Sequence, residues 1–384
     1  MGRAIVVGRI TSEDVAPGTT PARSIPYLPA LTGLRMVAAA LVYLRHVPQP
    51  SGLNPTVATF MSAGYAGVSM FFVLSGFVLG VNYFDRLSSP TVRGTWNYVV
   101  ARVARIYPLY IAVLLFVVVR TEAAGGGPLS GLGLHVAGLQ AWSSSLEIVG
   151  GFNAPAWSLS VELFLYACFP ALVLIVRPLR RPAALVAGLA SVVGLAAIAA
   201  YSFIRSGHDF LYYPYPESAY RWLYFMPIGR LGDFTAGILL ARLYQQLGDH
   251  PTATRTARWV ALGGAATMAL LMSSPAHLHS AWSWDASYLV PTLAIIWGLA
   301  ASGPRSWLAS KPMVAAGTAS YAFYLIHTQV MGELGARKFA AADLNAWVIA
   351  SQVMTFLLVL ALAIGLCRMI EQPARRWIRR HAST

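Results

Sequence analysis

The chain has 384 residues, of which 57% are hydrophobic and only 11% charged, with a formal net charge of +14. So apolar and sparsely charged a composition excludes a soluble globular protein and reads as a polytopic membrane protein. The cations are spread over short loops at helix ends, with no basic stripe interleaved with exposed aromatics, which excludes nucleic acid as the partner; Cys168 and Cys367, both inside apolar runs, exclude a disulfide framework and a cysteine metal site.

Residues 1–27 carry Arg3, Arg9 and Arg23 but no apolar core of signal-peptide type, and read as a loose cytoplasmic tail. Apolar runs of spanning length then fall near 30–47, 63–84, 98–120, 156–177, 183–204, 222–245, 257–274, 286–302, 313–335 and 346–369. They predict an all-α membrane helix bundle over 28–371 with about ten transmembrane helices. A further run at 129–143 is Gly-rich and short, which suits a re-entrant or interfacial segment. With the N-terminus cytoplasmic, this topology places twenty cations on cytoplasmic ends and loops against five outside, namely Arg120, Arg205, Arg221, Arg337 and Lys338. Making 129–143 a full span would invert every later loop. Residues 372–384 read as a basic cytoplasmic tail. Neither an internal repeat nor a matched pair of Gly/Pro-interrupted helices points to a secondary transporter, and no loop could hold a soluble domain. Any chemistry belongs to the bundle.

Within the first span, Arg35 and His46 are eleven residues apart. At 100° per residue this closes about three full turns, so both occupy one helical face roughly 16 Å apart. Ionisable groups inside a membrane-length helix are costly and mark a site by default. Ser75, in FFVLSGFVLG, lacks the glycine and strand of a nucleophile elbow and reads as a small residue at a helix contact. Arg102 and Arg105 are spaced i, i+3 at the cytoplasmic end of the third run and form a fixed double cation, suited either to topology anchoring or to phosphate. Pro108 and Pro155 read as helix punctuation.

Glu162, in PAWSLSVELFLY, is the only carboxylate in mid-span there and needs a cationic or imidazole partner. His46 is the simplest, in a carboxylate–imidazole arrangement for general-base work; a structural interhelical hydrogen bond is the alternative. Arg230 and Asp233 are three apart and read as a structural pair. His277 and His279 alternate in an outer loop without nearby cysteine, so no metal site is expected. His327, fourteen residues into a span entered from the cytoplasm, lies in the outer half near His46, with Tyr324 one turn back; a packing histidine and a ligand both fit.

Together these residues resemble the integral-membrane acyltransferase family three, bacterial enzymes that O-acylate carbohydrates, lipids and secondary metabolites. The resemblance runs from about 28 to 375. It is carried by Arg-x10-His at Arg35 and His46, FFVLSGF at 71–77, Arg-x-x-Arg-Ile-x-Pro from Arg102 to Pro108, WSLSVE from Trp157 to Glu162, the Arg230–Gly237 motif, SYAFYLIH at 320–327 and EQPARR at 371–376. Thr32 stands where members often have Asp, Leu163 where a second Glu is common, and Asp233 where Glu is usual. The resemblance implies an acyl-CoA donor such as acetyl-CoA or propionyl-CoA, no permanently bound cofactor or metal, and a bacterial plasma membrane location. The donor phosphates would dock at Arg35, Arg102 and Arg105, with the acyl-pantetheine arm reaching toward His46. Trp157, Ser158, Tyr324 and His327 are assigned to substrate binding, and His46 with Glu162 to proton removal from an acceptor hydroxyl. The LTGLR variant and compact size are similar to the branch that acylates macrolides, which implies a macrolide, its sugar or another carbohydrate as acceptor. Direct transfer and an acyl-histidine intermediate both satisfy the residues. The rival class is a transporter with an intramembrane His/Glu proton relay.

Overall fold

A computed structural model of the protein describes residues 28–127, 129–209, 215–303, 306–335 and 342–382. The N-terminal tail with Arg3, Arg9 and Arg23, and the cations Arg305, Arg337 and Lys338, lie outside the described residues. Among the described residues every extended element is helical, and the only β feature is an isolated parallel bridge between Ser51 and Asp343.

The long helices follow the apolar runs. In chain order they are α1 (Pro29–His46), a short α2 (Pro55–Ser62), α3 (Ala66–Leu87) and α4 (Val92–Ala123). Two short pieces, α5 (Leu132–Ala137) and α6 (Leu146–Val149), precede α7 (Trp157–Val176), α8 (Pro182–Arg205), α9 (Leu231–Leu247) and α10 (Pro251–Met272). The chain continues through a single turn, α11 (Ala281–Trp284), to α12 (Ala286–Ala301), α13 (Lys311–Thr318), α14 (Ser320–Glu333), α15 (Ala346–Leu366) and α16 (Gln372–Ala382). The 129–143 run forms α5 and one 3-10 turn, broken by Gly131 and Gly138 at φ 76° and 69°. Neither piece is long enough to cross a bilayer.

Among the described residues, six stretches are both long and apolar enough to span: Pro55–Leu87, Val92–Ala123, Ala154–Val176, Pro182–Arg205, Ala281–Ala301 and Ala346–Ala382. The remaining predicted runs are helical but fall short in length or hydropathy. Three of them carry polar groups: α1 holds Arg35 and His46, the turn into α9 holds Arg230 with Asp233 behind it, and α14, only 14 residues long, holds His327.

Small residues set the helix spacing. A Cβ on Gly76 of α3 would fall 2.0 Å from the Phe234 carbonyl oxygen, and one on Gly237 of α9 would fall 2.2 Å from that of Val73. These reciprocal contacts let the two backbones touch, as small residues do in membrane bundles. Gly317 of α13 makes the same close approach to Thr32 and fixes α1 at the level of Arg35. Pro108, expected as punctuation, instead lies inside the uninterrupted 32-residue α4; at 1.5 Å per residue that helix is about 48 Å long and outreaches a hydrocarbon core of about 30 Å. Pro155 does punctuate, in the 3-10 turn Ala154–Ala156 that opens α7.

Candidate active site

The polar residues of the bundle gather at three levels. At one end, the last turn of α1 presents His46, which is exposed, while α14 brings up His327, which is fully buried. His327 Nε2 lies 3.2 Å from His46 Nδ1, and the rings meet edge to face with centroids 5.0 Å apart. Phe323, one turn back on α14, stacks on His327 at 6.3 Å and 9°.

The partners assign the protons. His327 Nδ1 faces the Tyr324 carbonyl at 2.7 Å, and a carbonyl only accepts, so Nδ1 carries the hydrogen and Nε2 of the neutral ring is a lone pair. His46 Nδ1 faces two acceptors, the Val42 carbonyl at 2.9 Å and that His327 lone pair, so it too carries its hydrogen. The consequence is an unprotonated Nε2 on His46. It is the exposed imidazole of the pair that keeps a free basic nitrogen, which suits proton abstraction.

At the middle level, α1, α3, α7 and α14 line a partly open, narrow cavity of about 40 Å³. Its walls are apolar at Val68, Phe71, Phe72 and Leu159, with hydroxyls from Ser75, Ser158, Ser320, Tyr321 and Tyr324 and one charge of each sign, Arg35 and Glu162. An apolar wall with a few convergent polar groups is the lining of a small-molecule site. The Glu162 carboxylate accepts hydrogen bonds from Tyr166, one turn on in α7, and from Ser75 at 3.4 Å. Tyr324 links this level to the histidines, since its hydroxyl donates to the Pro155 carbonyl at 3.0 Å while its own carbonyl receives His327.

The expected pairing of Glu162 with His46 is therefore not what the structure holds: His46 pairs with His327, and Glu162 shares its cavity with Arg35. The cause is where α7 begins. Its opening turn is tied to α14, with Asn153 Nδ2 donating to the Leu325 carbonyl at 2.8 Å and Pro155 receiving Tyr324. Glu162 lies about 9 Å further along the helix from Ala156, away from His46. Ser158 and Tyr324 do line the cavity, whereas Trp157 does not; its ring packs on Tyr224 and Phe225 with centroids 4.8 and 4.7 Å away. Ser75, expected only as a packing residue, lines the cavity and bonds Glu162.

At the other end, Arg102 and Arg105 do not form an unpartnered double cation. Arg102 donates to the Tyr83 hydroxyl at 3.1 Å and is framed by the rings of Tyr83, Tyr98 and Tyr166 at 5.0, 5.9 and 5.6 Å. Such faces hold a guanidinium without neutralising it. Arg105 is ion-paired with Glu371 and stands over the Tyr321 ring at 5.5 Å. Tyr321 is itself a cavity wall, so Arg105 backs directly onto the middle level. Arg35 and Arg102 each keep a buried Nε without a hydrogen-bond partner.

Arg230 and Asp233 form the expected pair at 3.2 Å, fully buried. Sequence reasoning missed the second carboxylate, Asp285, 3.4 Å from the same nitrogen, as well as the Ser69 hydroxyl at 3.2 Å and the Tyr224 carbonyl, which accepts from Arg230 Nε at 2.9 Å. The visible signal was one acid at the start of an apolar run. No group of three or more His, Cys, Asp or Glu side chains among the described residues is placed to hold a metal ion.

Residues 28–369 match a family described as an acyltransferase domain. The chain is 31% identical over 385 aligned residues to acyltransferase MdmB of Streptomyces mycarofaciens, an alignment covering 92% of this chain and 93% of that one. It is 25% identical over 375 residues to peptidoglycan O-acetyltransferase OatA of Listeria monocytogenes serovar 1/2a, covering 91% of this chain and 56% of the other. A shorter stretch of 84 residues is 39% identical to protein 2 in the picA locus of Rhizobium radiobacter, covering 22% and 40%. No solved structure matches the chain.

Proposed function

The chain belongs to this acyltransferase domain family, and we propose that it moves a short acyl group from acyl-CoA to a hydroxyl of a secondary metabolite, best a macrolide or its sugar, or of a carbohydrate. The observation that carries the reading is the histidine pair. His46 Nε2, unprotonated and exposed, takes the proton of the acceptor hydroxyl as its oxygen attacks the thioester carbonyl. The carbon–oxygen bond forms, the carbon–sulfur bond breaks, and the imidazolium returns its proton to the departing thiolate. The products are an ester and free coenzyme A.

His327 positions the base. Its Nε2 lone pair receives the Nδ1 hydrogen of His46, holding the tautomer that leaves Nε2 free and stabilising the imidazolium once the proton is taken. Glu162 has a different part from the one its motif suggested. It lies beside Arg35 and orders the cavity through Tyr166 and Ser75. The pantetheine arm would thread that narrow cavity and widen it, spanning the roughly 16 Å of α1 that separates Arg35 from His46. Its phosphates would meet Arg35, Arg102 and Arg105. The bundle is read as ten spans in a bacterial plasma membrane, with both termini cytoplasmic, an orientation supported by the cation bias of the loops.

The test is thiol release. Purified protein offered several short acyl-CoAs with a panel of hydroxylated metabolites should release coenzyme A and yield an ester seen by mass spectrometry. His46→Ala should abolish both while leaving donor binding intact; normal turnover in that variant overturns the assignment.

A further inference from the structure

The C-terminal segment, expected as a basic tail, is a docked helix. A π-helical turn at Cys367–Glu371 separates α15 from α16, and such insertions redirect a helix and recur at functional sites. Beyond it, α16 packs along α4. Trp96 Nε1 donates to the Ala382 carbonyl at 2.9 Å at the far end of the contact, and Glu371 pairs with Arg105 at the near end.

Arg375 follows Glu371 by four residues and so shares its helical face. It is half-buried, whereas Arg376, Arg379 and Arg380 are exposed. Arg375 lies within electrostatic reach of Arg102 and Arg105, and Arg105 of Arg35. Four guanidinium groups thus converge from α1, α4 and α16. The carboxylates among them are Glu371, bonded to Arg105, and Glu162, bonded to Tyr166 and Ser75. Among the described residues this leaves two more positive charges than negative where charge is expensive. Among the described residues, the buried Nε atoms of Arg35 and Arg102 have no acceptor. A polyanion with several acceptor oxygens would supply both the missing charge and the missing acceptors, and guanidinium forks match phosphate.

We propose that Arg375 is a phosphate-binding residue that completes a cluster with Arg35, Arg102 and Arg105 for a phosphate-bearing nucleotide, a role that rests on the acyl-CoA donor proposed above. The other source of phosphate is a lipid headgroup. Arg376, Arg379, Arg380 and Trp377, which is 63% exposed, are the residues a membrane surface would meet, although Arg379 also lies within electrostatic reach of Arg375. Arg375 points the cluster inward.

The experiment measures coenzyme A binding to the full chain in phosphatidylcholine nanodiscs, with pantetheine as a phosphate-free probe, and repeats it with phosphatidylglycerol added. Loss of one charge-assisted contact corresponds to roughly 10–100-fold in affinity. Arg375→Ala should weaken coenzyme A binding by at least about tenfold, flatten its salt dependence and leave pantetheine binding unchanged. Arg375→Lys should recover part of the loss, and Arg376→Ala should lose less than about twofold. A merely structural role would lower the melting temperature without flattening the salt dependence or being rescued by lysine, and that outcome overturns the proposal. So does wild-type coenzyme A affinity in Arg375→Ala, whether or not the variant loses its response to phosphatidylglycerol. If the unaltered protein binds no coenzyme A, the donor reading fails as well, so the two failures are told apart by the wild-type measurement alone.

Discussion

The two ends of the site solve opposite problems. Around His46 and His327 the hydrogen bonds run between two imidazoles and two carbonyls, with neither ring ion-paired. At the other end Arg102 and Arg105 are permanent cations, one framed by tyrosine faces and one paired with Glu371. A group that must gain and lose a proton is best held by neutral hydrogen-bond partners that fix its tautomer; the fixed charge within reach of His46, that of Arg45, comes from its chain neighbour and not from a hydrogen-bond partner. A group that must hold an anion is best fixed in place and kept short of counter-charge. The cavity between them, with Arg35 and Glu162 on its walls, joins a region built for binding to one built for transfer.

The sharpest way to break this division is at His46. His46→Ala should reduce kcat by about 10²–10⁴-fold with the donor KM unchanged, since the variant removes the base and leaves the arginines alone. A shift confined to KM would place His46 with the binding end. Next in size is His327→Phe, which keeps the ring packing against Phe323 and removes the lone pair. It should cost about 10–100-fold in kcat, the worth of a hydrogen bond to a charged group, and alter the acidic limb of the pH–rate profile. An unchanged profile would make His327 a packing residue.

What could be read from the sequence divides along the same line. The depth and face of Arg35 and His46 follow from one number, the eleven-residue spacing within a single helix, and the structure keeps both on α1. His327 was placed near His46 by counting from the cytoplasmic end of its span, and α14 brings it there. Glu162 went astray although its run was counted from the right place, 156 against Trp157 for α7, because the height of that opening turn in the bundle is set by the ties of Asn153 and Pro155 to α14. Most of the arginine partners were invisible for a related reason: Tyr98 is one turn from Arg102 on α4, but Tyr83, Tyr166 and Glu371 come from three other parts of the chain and meet Arg102 and Arg105 only through tertiary packing. Within-helix geometry is legible in a sequence; which helix face meets which depends on tilt and on the loops that set it.

The binding end can be sharpened by separating charge from pairing. Arg105→Gln alone leaves Glu371 buried without its partner, so it should lose both donor affinity and about 3–5 kcal/mol of stability, less what the partly exposed guanidinium forgoes to solvent. The double variant Arg105→Gln/Glu371→Gln should restore the melting temperature but not the donor KM. Recovery of both would mean that Arg105 serves only to neutralise Glu371. Arg102→Gln, whose loss orphans no carboxylate, should raise donor KM about tenfold with little effect on kcat or melting.

The smallest effect concerns a histidine that must not exchange its proton. His135, on α5, is almost fully buried, its Nε2 donating to the Ile148 carbonyl at 2.8 Å and its Nδ1 without a partner. Burial pushes its pKa below the ordinary imidazole value of 6.5. The unfolded chain therefore binds more protons than the folded one once pH drops to about 6.5, so the contribution of His135 to stability is present above that pH and is lost as pH falls below it. The segment it holds leads to Phe152 and Asn153, which grip α14 through Gln329 and Leu325 at 3.1 and 2.8 Å. Acid should thus loosen the helix that carries His327 by a route separate from protonation of the His46 pair. Melting temperature measured from pH 8 to pH 5 should fall on the acid side, and His135→Asn should flatten that fall while leaving the acidic limb of the rate profile, set by His46, where it was. If the variant instead shifts the rate profile and leaves the melting curve sloping, the two histidine environments are not independent, and the contrast between a working imidazole and a structural one fails at this point.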